Sequence, residues 1–138
     1  KVSMGGTFSA NPLSMAAGLA SLAHYSQDQV ERLNALGERL RTDLRAGLAA
    51  NDVKATVTGM GSMFRLHLGG QAVTGYRSAY TTPEKARQIS AIQLAAIEEG
   101  VLLTPNCSGA LSTPMTTVEI DRIVVALVSA ATSMTKEN

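Results

Sequence analysis

The sequence predicts an α+β domain: a small, mostly antiparallel sheet with helices on one face. Three observations carry this. Four stretches place apolar or small residues at helical spacing, each opened by a capping residue. Between them lie short alternating runs punctuated by glycines. Hydrophobic residues make up 45% of the 138 positions, enough for a core, while aromatics reach only 4% and tryptophan is absent. Leu, Ile, Val, Ala and Met must therefore fill the interior.

Asn11 and Pro12 open the first helix, from 12 to about 24. Asparagine accepts orphan N–H groups, and proline has no N–H to waste at the first helical position. Ala16, Ala17, Gly18, Ala20 and Ala23 suit close packing. Ser26 with Gln29 is a capping box. Val30, Leu33, Leu36, Gly37, Leu40, Leu44 and Leu48 then recur at helical spacing until Asn51-Asp52. The opposite face carries Glu31, Arg32, Glu38, Arg41 and Arg45 and reads as solvated. Asp28–Arg32 and Glu38–Arg41 are surface pairs worth about 0.2–0.5 kcal/mol each.

Residues 54–58 and 63–68 read as two strands. Phe64, Leu66 and Leu68 alternate with Met63, Arg65 and His67, so one face is buried and the other more polar. Residues 71–81 form a loop pinned by Tyr76 and Tyr80. Thr82 and Pro83 start the next helix, with Ala86, Ile89, Gln93, Ala96 and Ile97 on one stripe and Gly100 just past its end. Residues 101–104 and 109–112 read as short strands around the loop Pro105-Asn106-Cys107-Ser108. Thr116 with Glu119 caps the last helix, whose apolar face is Ile120, Ile123, Val124, Leu127, Val128 and Ala131.

Net charge is +1, which leaves no electrostatic footprint for nucleic acid or an anionic membrane. No apolar run approaches a membrane span. Cys107 is the only cysteine, so no internal disulfide forms, and a reducing, cytoplasmic setting is the expectation. His24 and His67 lack metal-ligand spacing, and no metal site is expected. Arg65 is suited to a carboxylate, and a structural ion pair is its expected role. Cys107 reads as a small buried side chain, since no histidine lies nearby to make it a nucleophile. Gly5-Gly6-Thr7 ahead of a helix can present amides and a hydroxyl to an anion such as phosphate. The plain alternative is a turn with a cap.

Gly6-Thr7-Phe8-Ser9-Ala10-Asn11-Pro12, followed by Ala16-Ala17-Gly18, resembles the G-T-[FL]-S-G-N-P segment of class III aminotransferases, with Ala10 where glycine is usual. These are fold type I enzymes that use pyridoxal 5'-phosphate. Gly59-Met60-Gly61-Ser62-Met63-Phe64 is similar to the G-x-G-S-M-F of glutamate-1-semialdehyde aminomutases. The resemblance continues in Glu98-Glu99-Gly100-Val101 and in Leu111-Ser112 through Ile120-Asp121, so it spans nearly the whole chain.

The resemblance implies that Thr7, with Gly6 beside it and Ser9 a weaker candidate, binds the cofactor phosphate of the partner subunit in a homodimer. It implies that residues 1–27 end the large cofactor-binding domain and that 28–138 form the small C-terminal α+β domain. The family's lysine, which forms a Schiff base through which an amino group moves, lies upstream of the threonine, and Lys1 stands too close to be it. The chain is therefore expected to be a C-terminal part, inactive alone, of a parent that acts on a small amino acid or keto acid. An N-terminal large-domain part is then a partner, and its absence is expected to leave apolar surface exposed. Asn106 falls where relatives place residues near the substrate carboxylate. Some β-amino-acid aminotransferases have arginine there, and the aminomutases have a glutamate nearby. This chain has neither, with no acid between Pro105 and Thr116. A reading of another class is a non-catalytic, partner-binding α+β domain that kept the fold. A third is an unrelated phosphate-binding domain.

Overall fold

The computed structural model describes residues 5–6 and 10–136. The chain divides into two compact units, residues 1–31 and 32–138. In the first, α1 (Pro12–Ala23) begins as its sequence requires. The Asn11 side chain accepts from the amides of Leu13 at 2.9 Å and Ser14 at 3.4 Å. None of its residues is buried, and Leu13, Leu19 and Leu22 are exposed. Gln29 donates its amide to Ser26 Oγ at 3.4 Å at the start of α2 (Gln27–Ala50).

The second unit holds the rest of α2 and then β1 (Ala55–Thr58), β2 (Met63–Leu68), α3 (Pro83–Glu98), β3 (Ser108–Ala110) and α4 (Thr117–Lys136). The sheet is antiparallel throughout, in the order β1-β2-β3. Val57 pairs with Leu66, and Arg65 pairs with Thr58 on one side and Ser108 on the other. Alternation sends Val57, Phe64 and Leu66 inward. There they join Leu40, Leu44, Leu48, Ile92, Ile120 and Leu127 in one core. Each such side chain contributes about 1.5–3 kcal/mol on burial.

Close approach of α2 is written into glycines. A Cβ at Gly37 would stand 2.0 Å from the Gly61 carbonyl oxygen, and one at Gly47 would stand 2.7 Å from Val128 Cγ2 on α4. Thr116 and Glu119 cap α4 as expected: the Thr116 amide and hydroxyl donate to Glu119 Oε2 at 2.6 and 2.7 Å. These bonds hold the Glu119 carboxyl below its usual range. Gly100, at φ 81, ends α3 in the left-handed conformation that glycine adopts without a Cβ clash.

Several expectations are corrected. Residues 101–104 are not a strand, although burial alternates there. The Val101 amide donates to Ala96 O, Gln93 takes the Leu103 carbonyl, and the Thr104 amide donates to Ser108 O. These hydrogen bonds go to a helix end, a side chain and a turn rather than to a neighbouring strand. Pairing in the following segment covers 108–110 rather than 109–112. Tyr76 and Tyr80 do not pin their loop; both are exposed. Ser78 Oγ instead accepts the amides of Thr74 at 2.9 Å and Gly75 at 3.0 Å. The charged face of α2 is not simply solvated. Arg41 is 4% exposed, and Arg45 Nη2 donates to the Val57 carbonyl at 3.0 Å. Arg32 donates to the carbonyls of Thr113 and Met115.

Candidate functional site

Residues 65–68 of β2 line a cavity of about 340 Å³. Its walls come from the 71–81 loop, the first turns of α3 and the turn at Pro105-Asn106. Strand alternation puts Arg65 and His67 on the face opposite Phe64 and Leu66, and Leu66 and Leu68 border the cavity as well. His67 Nε2 lies 2.9 Å from Thr58 Oγ1 on the neighbouring strand. Burial, and then the nearby Arg65 charge, hold the His67 imidazole below its usual range, so it is neutral at neutral pH.

Arg65 lacks the structural ion pair expected of it. No hydrogen bond or salt bridge joins its side chain to the described residues, and its Nε is buried without a partner. Leaving a buried donor unmade costs about 1–3 kcal/mol. Lys85 enters the same cavity from the first turn of α3, where its amide donates to Thr82 Oγ1 at 3.3 Å. Its ammonium passes over the end of β2, 2.6 Å from where a Cβ on Gly69 would sit. Among the described residues no Asp or Glu lines the cavity. Nothing local in the sequence marks Lys85 as facing β2, because a long loop separates the two along the chain.

Asn106 borders this cavity and is itself exposed. Its Oδ1 accepts from Thr104 Oγ1 at 2.5 Å and from the Ser108 amide at 3.2 Å, so its carboxamide oxygen holds the turn. The next residue, Cys107, turns inward at φ 54 and is fully buried, with Sγ donating to the Ile89 carbonyl at 3.3 Å. Burial pushes its thiol up to about 11, so it is not a nucleophile at neutral pH.

In the first unit, Gly6 has φ 138, a conformation open to glycine and strained for other residues. Ala10, where the resembling families carry glycine, has φ 58. The first turn of α1 holds no acid. Thr7 and Ser9 lie outside the described residues. Among the described residues no group of His, Cys, Asp or Glu could hold a metal ion, and no helix is long and apolar enough to cross a membrane.

No established family profile matches the chain. Individual proteins do. The chain is 33% identical over 135 residues to the glutamate-1-semialdehyde 2,1-aminomutase of Nitratidesulfovibrio vulgaris, covering 98% of this chain and 31% of that protein. Its backbone superposes on an omega-transaminase from Sphaerobacter thermophilus with a TM-score of 0.89 and 32% identity, over 97% of this chain and 31% of that one. A solved transaminase with PLP bound matches at a TM-score of 0.80 and 31% identity, over 99% and 30% of the two chains. The chain thus spans about a third of the length of the curated relatives it matches.

Proposed function

Because the chain belongs to the family of class III aminotransferases and glutamate-1-semialdehyde aminomutases and corresponds to their C-terminal part, we propose that it serves a pyridoxal-phosphate enzyme that moves an amino group on a small amino acid or keto acid. The observation that carries this reading is the agreement of sequence and backbone over the same, nearly complete, span of the chain. Residues 1–27 go with the large cofactor-binding domain and 28–138 form the small domain. The enzyme is a cytoplasmic homodimer.

In this reading the Thr7 hydroxyl and the Gly6 amide hold the phosphate of pyridoxal phosphate bound by the neighbouring subunit. The flank fits a dianion. Gly6 brings a backbone with no side chain in the way, and no carboxylate in the first turn of α1 opposes a negative charge. Bound there, pyridoxal phosphate supplies an electron sink for chemistry at the amino-bearing carbon. This chain's residues bind and orient: Thr7 fixes the phosphate end, and the turn carrying Asn106 borders the substrate. The lysine that carries the cofactor is not Lys1, Lys54, Lys85 or Lys136, so this segment alone does not transaminate.

The test uses the whole protein. Purified with pyridoxal phosphate, it takes up the cofactor with a visible absorbance band and consumes an amino donor. Thr7→Ala weakens cofactor affinity about tenfold or more, the loss of one charge-assisted hydrogen bond. A protein that fails to retain the cofactor overturns the reading.

A further inference from the structure

We infer that Arg65 and Lys85 form a carboxylate-binding site in the cavity bounded by β2, the 71–81 loop and the start of α3. Two cationic side chains line one cavity in which none of the described residues is acidic. Two cations on the walls of one cavity, with no described carboxylate there to neutralise them, favour an anion from outside. The Arg65 Nε is buried and unpartnered, and no ion pair among the described residues engages its guanidinium. A guanidinium presents parallel N–H donors that match the two oxygens of a carboxylate, while the Lys85 ammonium adds a point charge. The neighbours are neutral donors or acceptors rather than competitors: His67 is engaged with Thr58, and Asn106 holds its own turn. At about 340 Å³ the cavity has room for one small organic acid.

The inference rests on the proposed function only for the ligand's identity, the carboxylate of the amino-acid or keto-acid substrate. It then makes Arg65 a specificity-determining residue of the small domain, reading from β2 what Asn106, lacking a guanidinium, does not read from the adjacent turn.

The experiment titrates glutarate, a dicarboxylate with no amino group, into the whole protein by calorimetry. Pyridoxal phosphate uptake is followed on the same sample. Arg65→Gln and Lys85→Gln are each expected to weaken glutarate at least tenfold while leaving the thermal midpoint unchanged, and Arg65→Lys is expected to lose less than Arg65→Gln. In turnover, KM for a carboxylate-bearing donor rises at least tenfold in Arg65→Gln, and KM for 1-phenylethylamine, which has no carboxylate, stays unchanged. Equal glutarate affinity in wild type and Arg65→Gln overturns the inference. Cofactor uptake without glutarate binding also overturns it and leaves the proposed function standing. Glutarate binding that depends on Arg65, in a protein that takes up no cofactor, supports the site and overturns the enzyme reading.

Discussion

Arg41 Nη1 lies 2.8 Å from the Gly61 carbonyl oxygen, binding the middle of α2 to the turn between β1 and β2. The same nitrogen donates to the Met63 carbonyl at 2.9 Å, and Nη2 meets Glu38 at 2.8 Å. Arg41 is buried, so its charge is tolerated only because these acceptors surround it. Arg41→Met therefore leaves two carbonyls without their donor. Hydrogen bonds to charged groups contribute about 1.5–3 kcal/mol each, so the expected loss is about 3–6 kcal/mol. Urea unfolding measures it, and a change below 1 kcal/mol, on the order of an exposed pair, would contradict the buried clamp. Glu38→Gln is expected to shift the midpoint far less, because that carboxylate is exposed.

Gly37, one turn before Arg41, faces the same Gly61 carbonyl. Alanine there must push backbone against backbone. Gly37→Ala is expected to destabilise by about 1–3 kcal/mol, although alanine is the better helix former. A stabilised variant in thermal unfolding would show that α2 and the turn are not in contact.

Stability should fall on acidification. His67 is held below its usual range by burial and by Arg65, so the unfolded chain takes up its proton first as pH drops. Glu38 and Glu119 are also held low, Glu38 by Arg41 and Glu119 by Thr116, and their contribution is present above the ordinary carboxylate value and lost as pH falls through the folded one. Unfolding free energy is thus expected to decline as pH falls below the ordinary histidine value of about 6.5 through His67, and more steeply below about pH 4.5. His67→Asn should flatten the first part and leave the second. A profile unchanged by that substitution would remove His67 from the account.

Cys107 should be inert. With its thiol at about 11 and no exposure, reaction with a disulfide reagent near neutral pH is expected to follow global unfolding. Stopped-flow labelling across a urea series checks this. Fast labelling in the native state would place the sulfur at the surface.

Reading from residues worked wherever the deciding interaction was local. Asn11, Ser26, Thr82 and Thr116 open helices because a side-chain oxygen meets an amide two or three residues away. The alternation of β2 places Phe64 and Leu66 inward and Arg65 and His67 on the other face, as the structure has them. Val101–Thr104 misled because an alternating pattern reports which side chains are buried, and says nothing about whether another strand is there to pair with. Tyr76 and Tyr80 misled for a related reason: aromatic character invites burial, but the loop finds its restraint in one serine hydroxyl.

The amino-acid order was enough to settle the helices, the two principal strands, the α+β class and the family, since caps, periodicity and motif spacing act within a few residues along the chain. It was not enough to show that Arg41 is clamped on Gly61, that Arg65 has no acidic partner among the described residues, or that Lys85 shares its cavity. Those facts depend on which distant backbone the packed core brings opposite each long side chain. A chain of single-residue choices cannot encode that meeting until the core closes and fixes the distances.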